Sequence, residues 1–222
     1  MIRINQLKTE VTDDRQVLYR HLAELLDYKS NDLKKVEIIR RSIDARKKPD
    51  IQYIYTVDVY LENEEKVYRK LISKRKLKEQ ITLCKPEIYH FPIAGGRRLQ
   101  HQPVIIGTGP AGLFCGYLLA KHGYRPILLE RGKDVDARSE DVEHFWSTGV
   151  LNPASNVQFG EGGAGTFSDG KLNTLVKDKD GRNKEVLAIF VKHGAPEEIL
   201  YDAKPHIGTD VLKTVVKSMR EE

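Results

Sequence analysis

The stretch Pro103-Val104-Ile105-Ile106-Gly107-Thr108-Gly109-Pro110-Ala111-Gly112 decides the fold. Its apolar half has the composition of a buried parallel strand, and its second half is G-x-G-x-x-G. Leu113 to Lys121 continues as an apolar helix closed by His122-Gly123. Pro126-Ile127-Leu128-Leu129-Glu130 then predicts a second buried strand, and Glu130 follows Gly107 by 23 positions. Each part answers a physical requirement. Gly107 allows the tight strand-to-helix turn. Gly109 lets backbone approach a pyrophosphate with no Cβ in the way. Gly112 permits close helix–strand packing. The helix start offers unbonded N–H groups and partial positive charge, so Gly107, Thr108, Gly109, Pro110, Ala111 and Gly112 are assigned to phosphates. Glu130 suits ribose hydroxyls. Strand, turn, helix, strand and acid at this spacing predict an α/β Rossmann-like domain with a dinucleotide site.

A membrane helix over Leu99 to Ala120 is the competing reading, since that stretch carries no Lys, Arg, Asp or Glu. Gly107, Gly109, Pro110 and Gly112 interrupt it, and its apolar parts fall far below the roughly 20 residues of a span. No membrane contact is therefore expected.

A second glycine-rich stretch runs from Gln158 to Leu172, with Gly160, Gly162, Gly163, Gly165 and Gly170. Successive glycine N–H groups form anion-binding nests, and small residues let a flat ring lie on backbone. Phe159, Phe167 and Leu172 are interleaved with the glycines, unlike the pattern of a solvated loop. Gly162, Gly163, Ala164, Gly165, Thr166, Phe167, Ser168 and Asp169 are assigned to the cofactor on this ground.

The Pro-Ala pair inside the first motif, Glu130-Arg131-Gly132 and Arg138 resemble the FAD-binding half of the glutathione-reductase-like flavoproteins. With Gly162 to Leu172 and Lys204-Pro205-His206-Ile207-Gly208-Thr209-Asp210, the chain resembles a family of bacterial and plastid FAD-dependent proteins described as NAD(FAD)-utilizing dehydrogenases. The resemblance extends to Arg41–Pro49 and Tyr55–Asp58. It implies a bound FAD held in part by Arg131, Gly132 and Arg138, an oxidoreductase activity, and NAD(P)H as an electron donor. It leaves the substrate open. Members are longer than this chain, so the Rossmann-like domain is expected to be incomplete and the chain an N-terminal fragment.

Two side chains are candidates for chemistry. Lys171 would offset the negative charge of a reduced flavin. His206, just before a helix that Thr209 caps, would donate a proton, although a structural hydrogen bond serves it equally well. No C-x-x-x-x-C pair follows the second strand. Cys115 reads as core and Cys84 stands in another domain, so thiol–disulfide chemistry is not expected. Two cysteines make no disulfide framework and no Cys/His cluster has metal-ligand spacing, so no metal is expected and a reducing cytoplasm is the default.

Residues 1–94 read as a small α+β domain. Ile2 to Leu7 predicts a strand, and Asp13 caps a helix carrying Leu18, Leu22, Leu25 and Leu26. Val36 and Ile38 begin a second strand. Ile51 to Leu61 forms a third, with odd-numbered apolar residues on one face. Glu64 to Lys76 predicts a helix with Val67 and Leu71 inward, and Ile88 to Phe91 a last strand. That order, β-α-β-β-α-β, predicts a ferredoxin-like split βαβ. Residues 95–102 are the expected linker and 103–222 the cofactor domain.

Net charge is +5 from 37 Lys and Arg against 32 Asp and Glu. Residues 1–98 hold 22 against 15, or +7, in runs such as Arg46-Lys47-Lys48 and Lys74-Arg75-Lys76. This motivates two alternatives, a flavoprotein associated with RNA through the basic domain, and a non-catalytic FAD module. Nucleic acid ranks behind an unspecified small-molecule substrate or electron donor, because no RNA-binding signature accompanies the runs.

Overall fold

The computed structural model describes residues 1–222 apart from 30, 31, 34, 74–76, 93, 94, 98, 173 and 175. The chain forms two compact units. One is Met1–Ile88 with Leu200–Ala203, and the other is Tyr89–Ile199 with Lys204–Glu222. Residues 95–102 lie inside the second.

The first unit contains β1 (Ile2–Glu10), α1 (Arg15–Leu26), β2 (Lys35–Asp44), β3 (Gln52–Tyr60), α2 (Glu64–Ile72) and β4 (Ile81–Leu83). Its sheet has the order β2-β3-β1-β4, antiparallel throughout. Ile2, Ile4, Val57, Val59 and Ile81 pack with Leu22, Leu26 and Leu71 from the two helices. The broken alternation of β1 has a local cause. Between Ile4 and Leu7 the register shifts, with Gln6 in the left-handed region at φ 57°. The bulge returns Leu7 to the face of its partner Tyr55.

Three expectations for this unit are corrected. The last strand is Ile81–Leu83, not 88–91, because Ile81 pairs with Ile4 and is buried while Ile88 is 60% exposed. Asp14, not Asp13, caps α1, accepting from Gln16 N at 2.9 Å. Helix α2 ends at Ile72, and the run 74–76 lies outside the described residues. Leu200–Ala203 runs beside β2. There Arg41 N donates to Tyr201 O, Ala203 N to Arg41 O, and the Arg41 guanidinium meets Asp202 with two bonds of 2.7 and 3.1 Å.

The second unit is built on β5 (Val104–Ile106) and β6 (Ile127–Leu129), paired in parallel across the connecting helix α3 (Pro110–Lys121). Helices α4 (Val135–Thr148), α5 (Arg182–Lys192) and α6 (Thr209–Glu221) follow. Leu212, Val215, Val216 and Met219 give α6 one apolar stripe, packed with Leu113, Tyr117, Ile189 and Ile199. The strands are not buried on both faces as their composition suggests. Ile105 and Leu128 face α3, but Val104, Ile106, Ile127 and Leu129 are 42–86% exposed, since the helix covers one face only. Cys115 is exposed rather than core, because Leu113, Gly116 and Tyr117 form the inward side of α3. Among the described residues no helix is long and apolar enough to cross a membrane.

Candidate dinucleotide site

Three glycine-bearing turns meet at the carboxyl ends of β5 and β6. In the first, Gly107 adopts φ +91°, a conformation that L side chains rarely take, and its N–H donates to Leu129 O at 2.6 Å. Pro110 opens α3 behind Gly109, and no side chain caps that helix. A Cβ on Gly112 would lie 1.9 Å from Gly107 O, so helix and turn touch backbone to backbone. A Cβ on Gly107 or Gly109 would meet nothing within 4 Å. The turn is thus closed toward the helix and open on the side where phosphates would lie.

Glu130 joins the end of β6 to this turn. Its Oε2 accepts from Thr108 N at 2.6 Å and Thr108 Oγ1 at 2.9 Å, and its Oε1 accepts from Gly132 N at 2.9 Å. Burial alone would raise this carboxyl. The Thr108 and Gly132 N–H groups and the Thr108 hydroxyl outweigh it and hold the carboxyl below its ordinary value. Three donors leave capacity on a carboxylate with about four lone-pair sites.

The second glycine stretch packs directly on the first. Gly162 N donates to Thr108 O at 2.8 Å, and a Cβ on Gly163 would lie 3.0 Å from Pro110 Cδ. A Cβ on Gly132 would reach 2.5 Å from Gly160 Cα, which brings the third turn against the same loop. Thr166 is fully buried, its hydroxyl lacks a hydrogen-bond partner, and a Cβ on Gly162 would come within 2.1 Å of it. Ala164 to Phe167 form a single 3-10 turn. Phe167 carries Arg138 and Lys213 over its ring at 4.8 and 5.0 Å.

Arg138 proves to be the organiser of that loop rather than an open donor. It is 0% exposed, and its guanidinium donates to the carbonyls of Asn156, Val157, Glu161 and Gly163 at 2.8–2.9 Å. Any effect on a cofactor therefore passes through the loop it shapes. Arg131 lies 3.9 Å over the Phe159 ring. Glu161, which the sequence pattern does not single out, is buried. Its Oε2 accepts from Val135 N at 2.7 Å and from Arg220 Nη1 at 3.3 Å. Burial pushes its carboxyl up, only partly offset by those donors.

Lys171 and His206 are brought together as backbone partners. Leu172 N donates to Pro205 O, and Ile207 N to Gly170 O. His206 Nε2 donates to Asp169 O at 2.7 Å, and Lys171 Nζ pairs with Asp169 Oδ2 at 2.8 Å. That pair raises the Lys171 ammonium and lowers the Asp169 carboxyl. Both candidates for chemistry are thus engaged with Asp169. Gly208, not Thr209, is the cap of α6, and the Thr209 hydroxyl donates to Ser168 O at 2.6 Å. His193 is buried at the end of α5, its Nδ1 2.9 Å from Ser218 Oγ.

Alongside Thr108, Glu130 and Glu161 opens a cavity of about 580 Å3 whose walls include Leu113, Tyr117 and Leu128. An apolar wall ending in a carboxylate suits a flat base with a ribose.

Residues 105–160 match the family described as an NAD(P)-binding Rossmann-like domain, and residues 1–60 match a domain of unknown function, DUF8436. The chain is 47% identical over 221 residues to a protein of Clostridium beijerinckii described as uncharacterized. The match covers all of this chain and 40% of that relative's length. A dinucleotide-type cofactor and an oxidoreductase-type role accord with the Rossmann-like match.

Proposed function

We propose that the cofactor is FAD and that the chain is the flavin-holding part of an oxidoreductase. The observation that carries this reading is the bond from Gly162 N to Thr108 O, which seats a second glycine loop on the phosphate turn. A plain nicotinamide-binding Rossmann unit leaves that loop without a task. The N–H groups at the start of α3 hold the pyrophosphate, Glu130 orients the ribose, and Gly162 to Asp169 lie along the rest of the cofactor. FAD, when bound, supplies the transfer of a hydride or of single electrons. Arg138 keeps the loop in shape. Lys171 supplies positive charge, and His206, its Nε2–H now on Asp169 O, is the proton donor. NAD(P)H is the proposed electron donor, and the partner is a small molecule.

The first unit is read as a ferredoxin-like split βαβ. The order β-α-β-β-α-β and the sheet order β2-β3-β1-β4 support it. An RNA-binding role for this unit is disfavoured. Arg3, Lys35, Arg41 and Arg46 face Asp58, Glu37, Asp202 and Asp44, which leaves less free charge than the composition suggests.

The test is the visible spectrum, after addition of FAD and gel filtration, of the protein expressed from its complete gene; residues 1–222 alone are expected to retain FAD weakly or not at all. Flavin bands that travel with the protein and bleach on reduction are expected. A colourless protein that retains a nicotinamide dinucleotide instead would overturn the proposal, and flavin bands that no donor bleaches would assign a non-catalytic role.

A further inference from the structure

We propose that the second unit carries a separate pocket for a phosphate-bearing small molecule, between the chain leading into β5 and the turn from α3 to β6. The cavity measures about 860 Å3, within the range of small-molecule sites. Its described lining includes Arg97, Arg125, His90, His101 and His122, with no Asp or Glu. That composition is unusual for a chain with 32 acids. Elsewhere the cations Arg3, Arg41 and Arg46 are paired with carboxylates, but among the described residues neither Arg97 nor Arg125 has a salt bridge. Clustered, unneutralised cations in one concavity concentrate positive potential there.

The walls are held by specific contacts. Arg125 sits in the left-handed region at φ 52°, an uncommon conformation for a non-glycine residue. Its carbonyl accepts from Gln102 Nε2 at 2.9 Å, which ties the turn to the opposite wall. His122 Nδ1 donates to Leu118 O at 2.8 Å, which fixes the imidazole at the end of α3 and leaves Nε2 to donate to an anion only in the imidazolium form. The Phe91 ring stacks on this imidazole at 3.7 Å and 13°. A helix C-terminus ordinarily repels anions. Here the carbonyls of Leu118, Leu119 and Ala120 are already taken by His122, Gly123 and Tyr124.

Guanidinium forks match phosphate oxygens, and the lining offers amide and imidazole donors as well. Arg97 and Arg125 line one cavity, which favours a compact phosphorylated ligand over a polymer. The inference does not depend on FAD.

The experiment is calorimetric titration of the protein with pyrophosphate, ADP and adenosine, at low and at raised salt. Pyrophosphate and ADP are expected to show a component that weakens as salt rises and depends on Arg97, and adenosine is expected to lack that component. Arg97→Glu, at an exposed position, should weaken pyrophosphate by about tenfold or more, the scale of one lost charge-assisted hydrogen bond. Glu130→Ala, which alters the dinucleotide site, should leave pyrophosphate binding intact. His101→Gln serves as a second variant if Arg97→Glu does not fold, and should weaken binding in the same direction. Pyrophosphate binding that is absent, or that survives the pocket variant, would overturn the proposal. Binding lost in Glu130→Ala but kept in Arg97→Glu would place the phosphate in the dinucleotide site and overturn it equally. Independent titration with FAD separates this result from the fate of the flavin proposal.

Discussion

Thr108 and Glu130 are joined twice, the backbone N–H and the hydroxyl of the threonine both donating to one carboxylate oxygen, at 2.6 and 2.9 Å. Because Thr108 O also accepts from Gly162 N, one residue couples the acid of β6, the first glycine turn and the second glycine loop. Thr108→Val removes the hydroxyl but keeps the backbone bonds. It should weaken dinucleotide binding by about tenfold, the scale of one neutral-to-charged hydrogen bond. Glu130→Ala should weaken it further. Equilibrium dialysis with FAD reads both, and equal affinities in wild type and Glu130→Ala would contradict the assignment.

Glu130 also sets a pH signature. Its carboxyl is held below its ordinary value in the fold, so the stability it contributes is present above the unfolded value and is lost as pH falls through the folded one. Urea unfolding at stepped acid pH should show wild type losing stability on acidification faster than Glu130→Gln. Parallel profiles would remove the electrostatic role.

Glu161 has the opposite sign. Burial raises its carboxyl in the fold, so the native state holds the proton more firmly than the unfolded chain. Its contribution grows as pH falls through the raised folded value and reaches its full extent below the unfolded one. Glu161→Gln should flatten that component in the window just above the ordinary glutamate value. A variant profile matching wild type across this window would show the carboxylate to be effectively solvated.

Gly112→Val tests the close packing of turn and helix. With a Cβ placed 1.9 Å from Gly107 O, backbone must move. Overpacking of this kind costs about 1–3 kcal/mol. Chemical denaturation should read that loss, and FAD binding should fall with it. Unchanged stability would mean that the turn is looser than described.

Arg138→Met leaves the buried carbonyls of Asn156, Val157, Glu161 and Gly163 without their donor. Each buried carbonyl left without a donor costs about 1–3 kcal/mol. Arg138→Lys should restore little, since a single ammonium cannot span four carbonyls. Thermal unfolding and limited proteolysis between Asn156 and Gly170 report it. A fully protected loop in Arg138→Met would contradict the organising role.

The first glycine turn was legible in the sequence because its constraints are local. Gly107 must take a positive φ and Gly112 must lack a side chain, whatever the rest of the chain does. The β3 strand was legible for the same reason, its alternation running from Tyr53 to Val59. Arg138 was singled out through the resemblance, but its grip on the loop was not legible and Glu161 was not singled out at all, because their partners are mostly backbone groups on other segments, and carbonyls and N–H groups leave no mark in composition. Strand β4 is three residues long and too short to alternate, so Ile88 to Phe91 offered the more visible pattern. The misplacement of Cys115 came from α3 itself. Leu113, Phe114, Tyr117, Leu118 and Leu119 make it apolar all round, and periodicity then cannot say which side faces the strands.

The flavin assignment is tested most directly by competition titration of the protein expressed from its complete gene with FAD and NAD+, read by flavin fluorescence and by dialysis. One FAD per chain is expected, with NAD+ failing to displace it at equal concentration, and with binding lost in Gly112→Val but kept in Arg97→Glu. Saturable NAD+ binding with no FAD uptake, or FAD uptake indifferent to Gly112, would contradict the account.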